Sequence, residues 1–288
     1  MSAPVRSHTP MTINFYALGA IALWASLASL GMMLSHVPPL LLTGTALMIG
    51  STLAWPFVAR DTSVWKVAPA TLALGVYGLF GFHFLLFIAL RNAPAVQANL
   101  VNYLWPLLIV VLSPVLLPGM RLRPGHAVAA VAGFAGAAVA ILAGGASQAG
   151  GASWGYLAAL GSAFIWASYS LLTRRVAPFP TAAIGLFGLV SGLLSLLCHW
   201  WLEPAVRLGW SDLGWLVVMG LGPLGAAFFL WDKALKTGDP RQVGILSYLT
   251  PLASTVLLMW ATGRPLSWSI GLAAALIIGA AVVGARTT

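Results

Sequence analysis

Charge is scarce in this 288-residue chain. Lys, Arg, Asp and Glu make up only 7% of it, with five acidic residues in all, while hydrophobic residues make up 60%. Soluble domains carry about 25% charged residues, and a core of this size cannot keep so apolar a surface in water. The composition therefore excludes a soluble domain. Cysteine is nearly absent as well. Cys198 stands alone in an apolar run, so an intramolecular disulfide is excluded and the thiol reads as a small hydrophobe. No cleavable signal peptide is evident, and the first apolar run reads as an uncleaved helix. The chain also lacks a Walker A sequence, a metal-ligand cluster and a nucleophile elbow. No cofactor and no metal are expected, and an enzyme is disfavoured.

What is present is a series of apolar runs long enough to span a bilayer. Ten are read, at 11–34, 38–59, 68–90, 95–116, 126–144, 153–173, 181–202, 213–235, 242–262 and 267–285. The breaks between them are too short for an extramembrane domain. The fold class expected is an all-α integral membrane protein, and the lipid bilayer is its first partner. A net charge of +9 suggests nucleic acid in a soluble protein, but here the 14 basic residues sit in short loops and no nucleic acid partner is expected. With the N-terminus inside, ten basic residues fall in inner segments. Only Arg91, Arg207 and Arg264 fall outside, which places both termini in the cytoplasm.

The two halves of the chain echo each other. Ala17-Leu18-Gly19 with Trp24-Ala25-Ser26 returns 142 residues later as Ala159-Leu160-Gly161 with Trp166-Ala167-Ser168. Tyr103-Leu104-Trp105-Pro106-Leu107 returns 145 residues later as Tyr248-Leu249-Thr250-Pro251-Leu252. The chain divides into a first five-helix repeat at 11–144, a Gly/Ser-rich linker at 145–152 and a second repeat at 153–285. Five spans per half is an odd number, so the second half enters the membrane from the opposite face. Two inverted five-helix repeats around a central cavity are the architecture of a membrane carrier.

Ten of the tryptophans fall near span ends and read as an interfacial belt: Trp55, Trp65, Trp154, Trp200, Trp201, Trp210, Trp215, Trp231, Trp260 and Trp268. Trp24, Trp105 and Trp166 lie deep, all within the echoed motifs. Each needs an acceptor for its indole N–H, either in helix packing or as part of a cavity lining. Pro106 removes one helical hydrogen bond and is expected to free the carbonyl of Asn102; Pro251 does the same for Ser247. Such breaks either shape the bundle or line a water-filled path. Tyr103 and Tyr248 follow the two carbonyls, and Gln97, Asn99, Asn102, Gln242 and Ser247 lie nearby. Amides and hydroxyls of this kind can hold the ammonium and carboxylate of an amino acid without a full buried charge.

Few ionisable groups remain. His83 lies inside the third run, as a neutral imidazole bonded across helices or as a proton-sensitive cavity residue. Asp232 lies four residues before Lys236 and is expected to pair with it, with a cation or proton site as the other reading. Glu203 reads as a solvated loop residue. No Lys, Arg, Asp or Glu lies near the middle of any run, which argues against a phosphorylated solute and against a central proton-carrying carboxylate. Gly188 and Gly192 allow a close helix contact.

Ten spans in two inverted halves resemble the drug/metabolite transporter superfamily, in particular its EamA-type carriers. The stretch from Ala98 to Leu107, with Trp24, Trp166 and Ser247 to Pro251, is similar to that family's aromatic amino acid exporters. The resemblance implies a basket of helices in a bacterial inner membrane, exporting aromatic and other neutral amino acids. It implies a substrate cavity that includes Trp24, Tyr103, Trp105 and Trp166, with Asn102 and His83. Together with the residue reading, the candidate substrate-binding set is Trp24, His83, Asn99, Asn102, Tyr103, Trp105, Trp166, Ser247 and Tyr248. Pro106 and Pro251 are the candidate helix-break or gating residues. The expected carrier is facilitative, a monomer serving as its unit, and works by alternating access. A proton-driven exporter of drugs or other metabolites is the alternative, and a membrane-embedded enzyme is a remote one.

Overall fold

A computed structural model describes residues 14–144, 154–261, 263 and 267–287. The linker expected at 145–152 lies outside the described residues, as do residues 11–13, residue 153 and Arg264. Among the described residues there is no strand. Ten helices are long and apolar enough to cross a membrane: α1 (Phe15–Met33), α2 (Pro39–Arg60), α3 (Pro69–Asn92), α4 (Ala95–Leu116), α5 (Pro124–Leu142), α6 (Gly155–Leu172), α7 (Ala183–Leu202), α8 (Trp210–Thr237), α9 (Pro240–Trp260) and α10 (Trp268–Arg286). A bilayer offers backbone groups no water, so each run satisfies its own N–H and C=O groups as helix.

Six spans are locally irregular, α2 by a 3-10 turn at Thr52–Ala54, and four of the irregularities follow the repeat. α4 is interrupted at Tyr103 and Leu104, and α9 at Ser247 and Tyr248, 145 residues on. In each case the proline sits in the first turn of the following segment, where a missing N–H costs least. The same offset relates two π-helical turns, Tyr77–Gly81 in α3 and Gly222–Ala226 in α8. α1 and α6 differ: α1 breaks at Ser26, whose N–H and Oγ both donate to the Leu23 carbonyl, whereas α6 runs unbroken through Ser168.

The packing interlocks the halves. α1 lies against α8 and α9, and α6 lies in the equivalent way against α3 and α4. α2 and α7 cross each other through small residues. A Cβ added at Gly192 would sit 2.8 Å from the Gly44 carbonyl oxygen, and one at Gly188 would sit 3.3 Å from that of Leu47. Any larger residue at Gly192 must push the two helices apart. α5 and α10 form a flanking pair. α6 is the most enclosed span, with 67% of its apolar window buried.

Of the ten tryptophans expected in the belt, two are not exposed. Trp200, Trp201, Trp210, Trp260 and Trp268 are exposed, in keeping with a headgroup position. Trp65 instead donates its indole N–H to the Ala182 carbonyl. Trp231 is 1% exposed and belongs to the core. A second correction concerns Glu203. Its side chain is fully enclosed and accepts hydrogen bonds from Leu40 N and Leu41 N at the start of α2. It also meets Arg91 at 2.9 Å and His199 at 3.0 Å. The first turn of α2 has free N–H groups and the positive end of its dipole, and the carboxylate that directly follows α7 satisfies both.

Candidate functional site

Four indoles meet where the two halves touch. Trp24 of α1 and Trp105 of α4 come from the first half, Trp166 of α6 and Trp231 of α8 from the second. Every pair among them is in ring contact. The centroid separations run from 5.2 Å for Trp24–Trp231 to 6.5 Å for Trp105–Trp166. Most of the pairs are edge-to-face or tilted, which sets positive ring edges against negative faces and is worth about 0.5–1.5 kcal/mol per pair beyond burial. Phe228 lies 6.0 Å from Trp24 and 5.6 Å from Trp166, and Phe82 lies 5.3 Å from Trp166.

Two of the indoles are anchored. Trp24 Nε1 donates to the carbonyl of Pro223, inside the π-helical turn of α8, at 3.1 Å. Trp231 Nε1 donates to Ser170 Oγ at 3.1 Å. A π turn shifts the hydrogen-bond register by one residue and leaves carbonyls available to side chains. The turn in α8 thus supplies the acceptor that Trp24 needs.

The other expected site residues fall into three groups. His83 joins the tetrad through shared neighbours: its ring lies 5.0 Å from Phe82 and 6.1 Å from Phe228, and Nδ1 bonds to the Leu79 carbonyl at 2.6 Å. The bond is to its own helix, not across helices as one sequence reading had it. Asn102 is buried and accepts a hydrogen bond from Ser162 Oγ at 3.1 Å, joining α4 to α6 directly below Trp166 in sequence. Asn99 and Tyr103 are half-buried on the same short segment, and Tyr103 N donates to the Asn99 carbonyl.

Ser247 and Tyr248 are not brought to the tetrad. Ser247 Oγ donates back to the Val243 carbonyl at 2.8 Å. The Ser247 carbonyl, expected to be freed by Pro251, is taken by Thr250 N at 3.0 Å, because the chain tightens into a turn there. Tyr248 points into a separate core formed with α5 and α10, beside Phe134 and Gly133. Among the described residues no backbone N–H reaches the Asn102 carbonyl, so the expected pair of open carbonyls reduces to one.

Asp232 sits 3% exposed, with Oδ2 accepting from Lys236 Nζ at 2.7 Å and from Thr181 Oγ1 at 2.6 Å. Lys236 also donates to the Phe179 carbonyl and lies over the Phe179 ring. The expected ion pair is present, and it fastens the end of α8 to the segment that leads into α7. Outside the spans, burial pushes the Asp239 carboxyl up, but the hydrogen bonds and charge of Arg241 outweigh it and hold it below the ordinary carboxylate value. Arg241 in turn donates to the Arg121 carbonyl at 2.7 Å, bridging the halves.

Trp231 and Phe228 are the site residues that the sequence reading missed. A signal for them exists. Phe228, Trp231, Asp232 and Leu235 follow the i, i+3, i+4, i+7 pattern of one helix face and are all buried, while Lys233 and Lys236 lie off it. Distance from the span end alone assigned Trp231 to the belt.

The sequence profile of the EamA-like transporter family matches this chain twice, over residues 11–142 and 153–285. The aromatic amino acid exporter YddG of Ancylobacter novellus is 43% identical over 273 residues, covering 92% of this chain and 93% of the relative. Proteins of the same name from Salmonella typhimurium and Escherichia coli are 29% and 26% identical, over 61% and 68% of this chain and the same shares of theirs. A crystal structure of a protein 42% identical in sequence superposes with a TM-score of 0.88, over 94% of both chains.

Proposed function

The chain belongs to the EamA-like transporter family, and from that premise we propose that it exports aromatic and other neutral amino acids across a bacterial inner membrane, with both termini in the cytoplasm. It is a multi-pass carrier rather than an enzyme. The observation that carries the substrate assignment is the tetrad of indoles at the meeting of the halves, read beside a 43% identical relative named as an aromatic amino acid exporter. Indole faces hold an aromatic or aliphatic side chain through stacking and dispersion.

The mechanism proposed is alternating access, with one half rocking against the other around the tetrad. Trp24, Trp105, Trp166, His83, Asn102, Asn99 and Tyr103 line the path. Ser247 and Tyr248 act at one remove: with Pro106 and Pro251 they mark the repeat-related breaks about which α4 and α9 change shape. A monomer contains the whole path. Transport runs down the substrate gradient. A proton-driven reading draws on one observation, the buried Oδ1 of Asp232, which has no hydrogen-bond partner among the described residues. Its other oxygen is held by Lys236 and Thr181, which favours a structural ion pair.

The test is flux of a panel of labelled amino acids in proteoliposomes, with and without an imposed pH gradient. Phenylalanine, tryptophan and tyrosine should move fastest, at rates indifferent to the gradient. A panel with no preference for neutral amino acids defeats the substrate reading. Flux that appears only under a pH gradient defeats the facilitative one.

A further inference from the structure

The four indoles are not equivalent. Trp24 and Trp231 spend their N–H groups on protein acceptors, Pro223 and Ser170. Trp105 and Trp166 are as deeply placed, at 5% and 3% exposed. Yet among the described residues neither indole N–H has an acceptor, and neither nitrogen is wholly enclosed by protein. An indole N–H that the protein leaves unbonded but not enclosed can still donate to a molecule that reaches it. The two open donors come one from each half, on rings in edge-to-face contact at 6.5 Å between centroids.

A third open group lies beside them. A carbonyl oxygen only accepts, so the 2.6 Å bond from His83 Nδ1 to the Leu79 carbonyl puts the ring proton on Nδ1. The neutral ring then keeps a lone pair on Nε2, which bonds to nothing among the described residues. Phe82 and Phe228 each touch both the His83 ring and the Trp166 ring. His83 and Trp166 therefore share an aromatic wall, and Trp105 joins it through its contact with Trp166, with no formal charge among the three.

We propose that these three groups recognise the zwitterionic head of an α-amino acid. The N–H groups of Trp105 and Trp166 donate to the carboxylate, and His83 Nε2 accepts from the ammonium. Trp24 and Trp231, fixed by their own hydrogen bonds, serve as the rigid surface for the side chain. The inference rests on the export reading above and names the part of the solute that the site selects. Neutral partners match a solute that is itself net neutral. An amine without the acid, or an acid without the amine, brings an uncompensated charge to membrane depth. Because no protein ion pairs with the solute, the hydrogen bonds are firm enough to orient it and weak enough to release it.

The experiment uses the full-length carrier in proteoliposomes, loaded for counterflow of labelled L-phenylalanine. On the wild-type protein, phenethylamine and hydrocinnamic acid should each compete about tenfold more weakly than unlabelled phenylalanine, the loss expected for one charged hydrogen-bonding group. Trp105→Phe and Trp166→Phe keep a ring and remove the N–H. They should narrow the gap between phenylalanine and phenethylamine, and His83→Leu should narrow the gap between phenylalanine and hydrocinnamic acid. Equal competition by phenethylamine on the wild-type protein overturns the role of the indoles, and equal competition by hydrocinnamic acid overturns that of His83. Both readouts hold even if a variant fails to fold. Variants that fold but leave both gaps unchanged overturn the assignment while the export reading stands. A wild-type protein that carries no amino acid removes the export reading and this inference with it.

Discussion

Arg91 and Lys236 stand 145 residues apart at the same place in the two repeats, and each ties the end of one span to the beginning of another. Arg91, at the end of α3, meets Glu203, which caps the start of α2. Lys236, at the end of α8, meets Asp232 and the Phe179 carbonyl, just before α7. The two fastenings differ in membership. Glu203 directly follows α7, in the second half, so the first joins the two halves, whereas every partner of Lys236 belongs to the second half. Separation of the halves at the Arg91 end must break the Glu203 contacts.

Glu203→Ala should therefore loosen that end. It leaves Arg91 and His199 without their acceptor and the first turn of α2 uncapped. The expected loss is about 2 kcal/mol, less than for a fully buried pair because Arg91 is half exposed. Thermal unfolding in detergent reads this as a lower midpoint, and labelling of a cysteine placed beside Arg91 should quicken. An unchanged midpoint and labelling rate would mean that the contacts are dispensable.

Trp24→Ala and Trp166→Ala should each lower amino acid export per folded carrier about tenfold or more, beyond any loss of abundance from the void each opens in the tetrad. Quantitative export assays normalised to protein in the membrane provide the measurement. Normal flux from the reconstituted double variant would sink the assignment of the tetrad to the transport path.

Trp231→Phe and Trp231→Ala should part company. The first loses chiefly the bond to Ser170, about 1 kcal/mol. The second opens a void in a closed cluster of four rings and should cost about 3–5 kcal/mol. Comparison of the two unfolding midpoints tests whether Trp231 is core, as the structure places it, or belt, in which case both variants would unfold like the parent.

Asp232→Asn should keep the bond to Thr181 and weaken the one to Lys236. If Asp232 is a structural partner, flux in the variant falls modestly and stays indifferent to an imposed pH gradient. Loss of a gradient-driven component in the variant, present in the parent, would instead make Asp232 a proton carrier.

The Asp239 carboxyl is held below its ordinary value by Arg241. A depressed folded value means that its contribution to stability is present above the unfolded carboxylate range, near pH 4, and is lost as pH falls through the folded value. Asp239→Asn should remove that acid-sensitive portion. Unfolding midpoints measured from pH 6 down to pH 3 should fall more steeply for the parent than for the variant.

Much of the fold was legible in the sequence because a bilayer leaves the chain few choices: long apolar runs must be helices, and their count and echoes divide the chain. Trp24, Trp105 and Trp166 stood out for the same reason, as polar tips far from either surface. Other features were hidden because they depend on partners distant in sequence. The two π turns occupy matching positions, yet Tyr77-Gly78-Leu79-Phe80-Gly81 and Gly222-Pro223-Leu224-Gly225-Ala226 share only one leucine at equivalent places. A π turn is held by what packs around it, so no local word announces it. Glu203 read as solvated because nothing near it in sequence shows that the start of α2 lies against it. Tyr248 echoes Tyr103 in sequence but meets the α5–α10 pair instead of the tetrad.

The hydrogen bond from Trp24 to Pro223 spans 199 residues, and that separation has a cost in time. At about 5–20 residues per second of synthesis, α1 enters the membrane roughly 10–40 s before its indole acceptor exists. During that interval Trp24 must lie against lipid, an insertion factor or a provisional helix partner. α1 is thus among the last of these spans to reach its final neighbours, and truncation anywhere before α8 leaves it orphaned. Nascent chains halted short of residue 223 should therefore be turned over faster than those halted after α9.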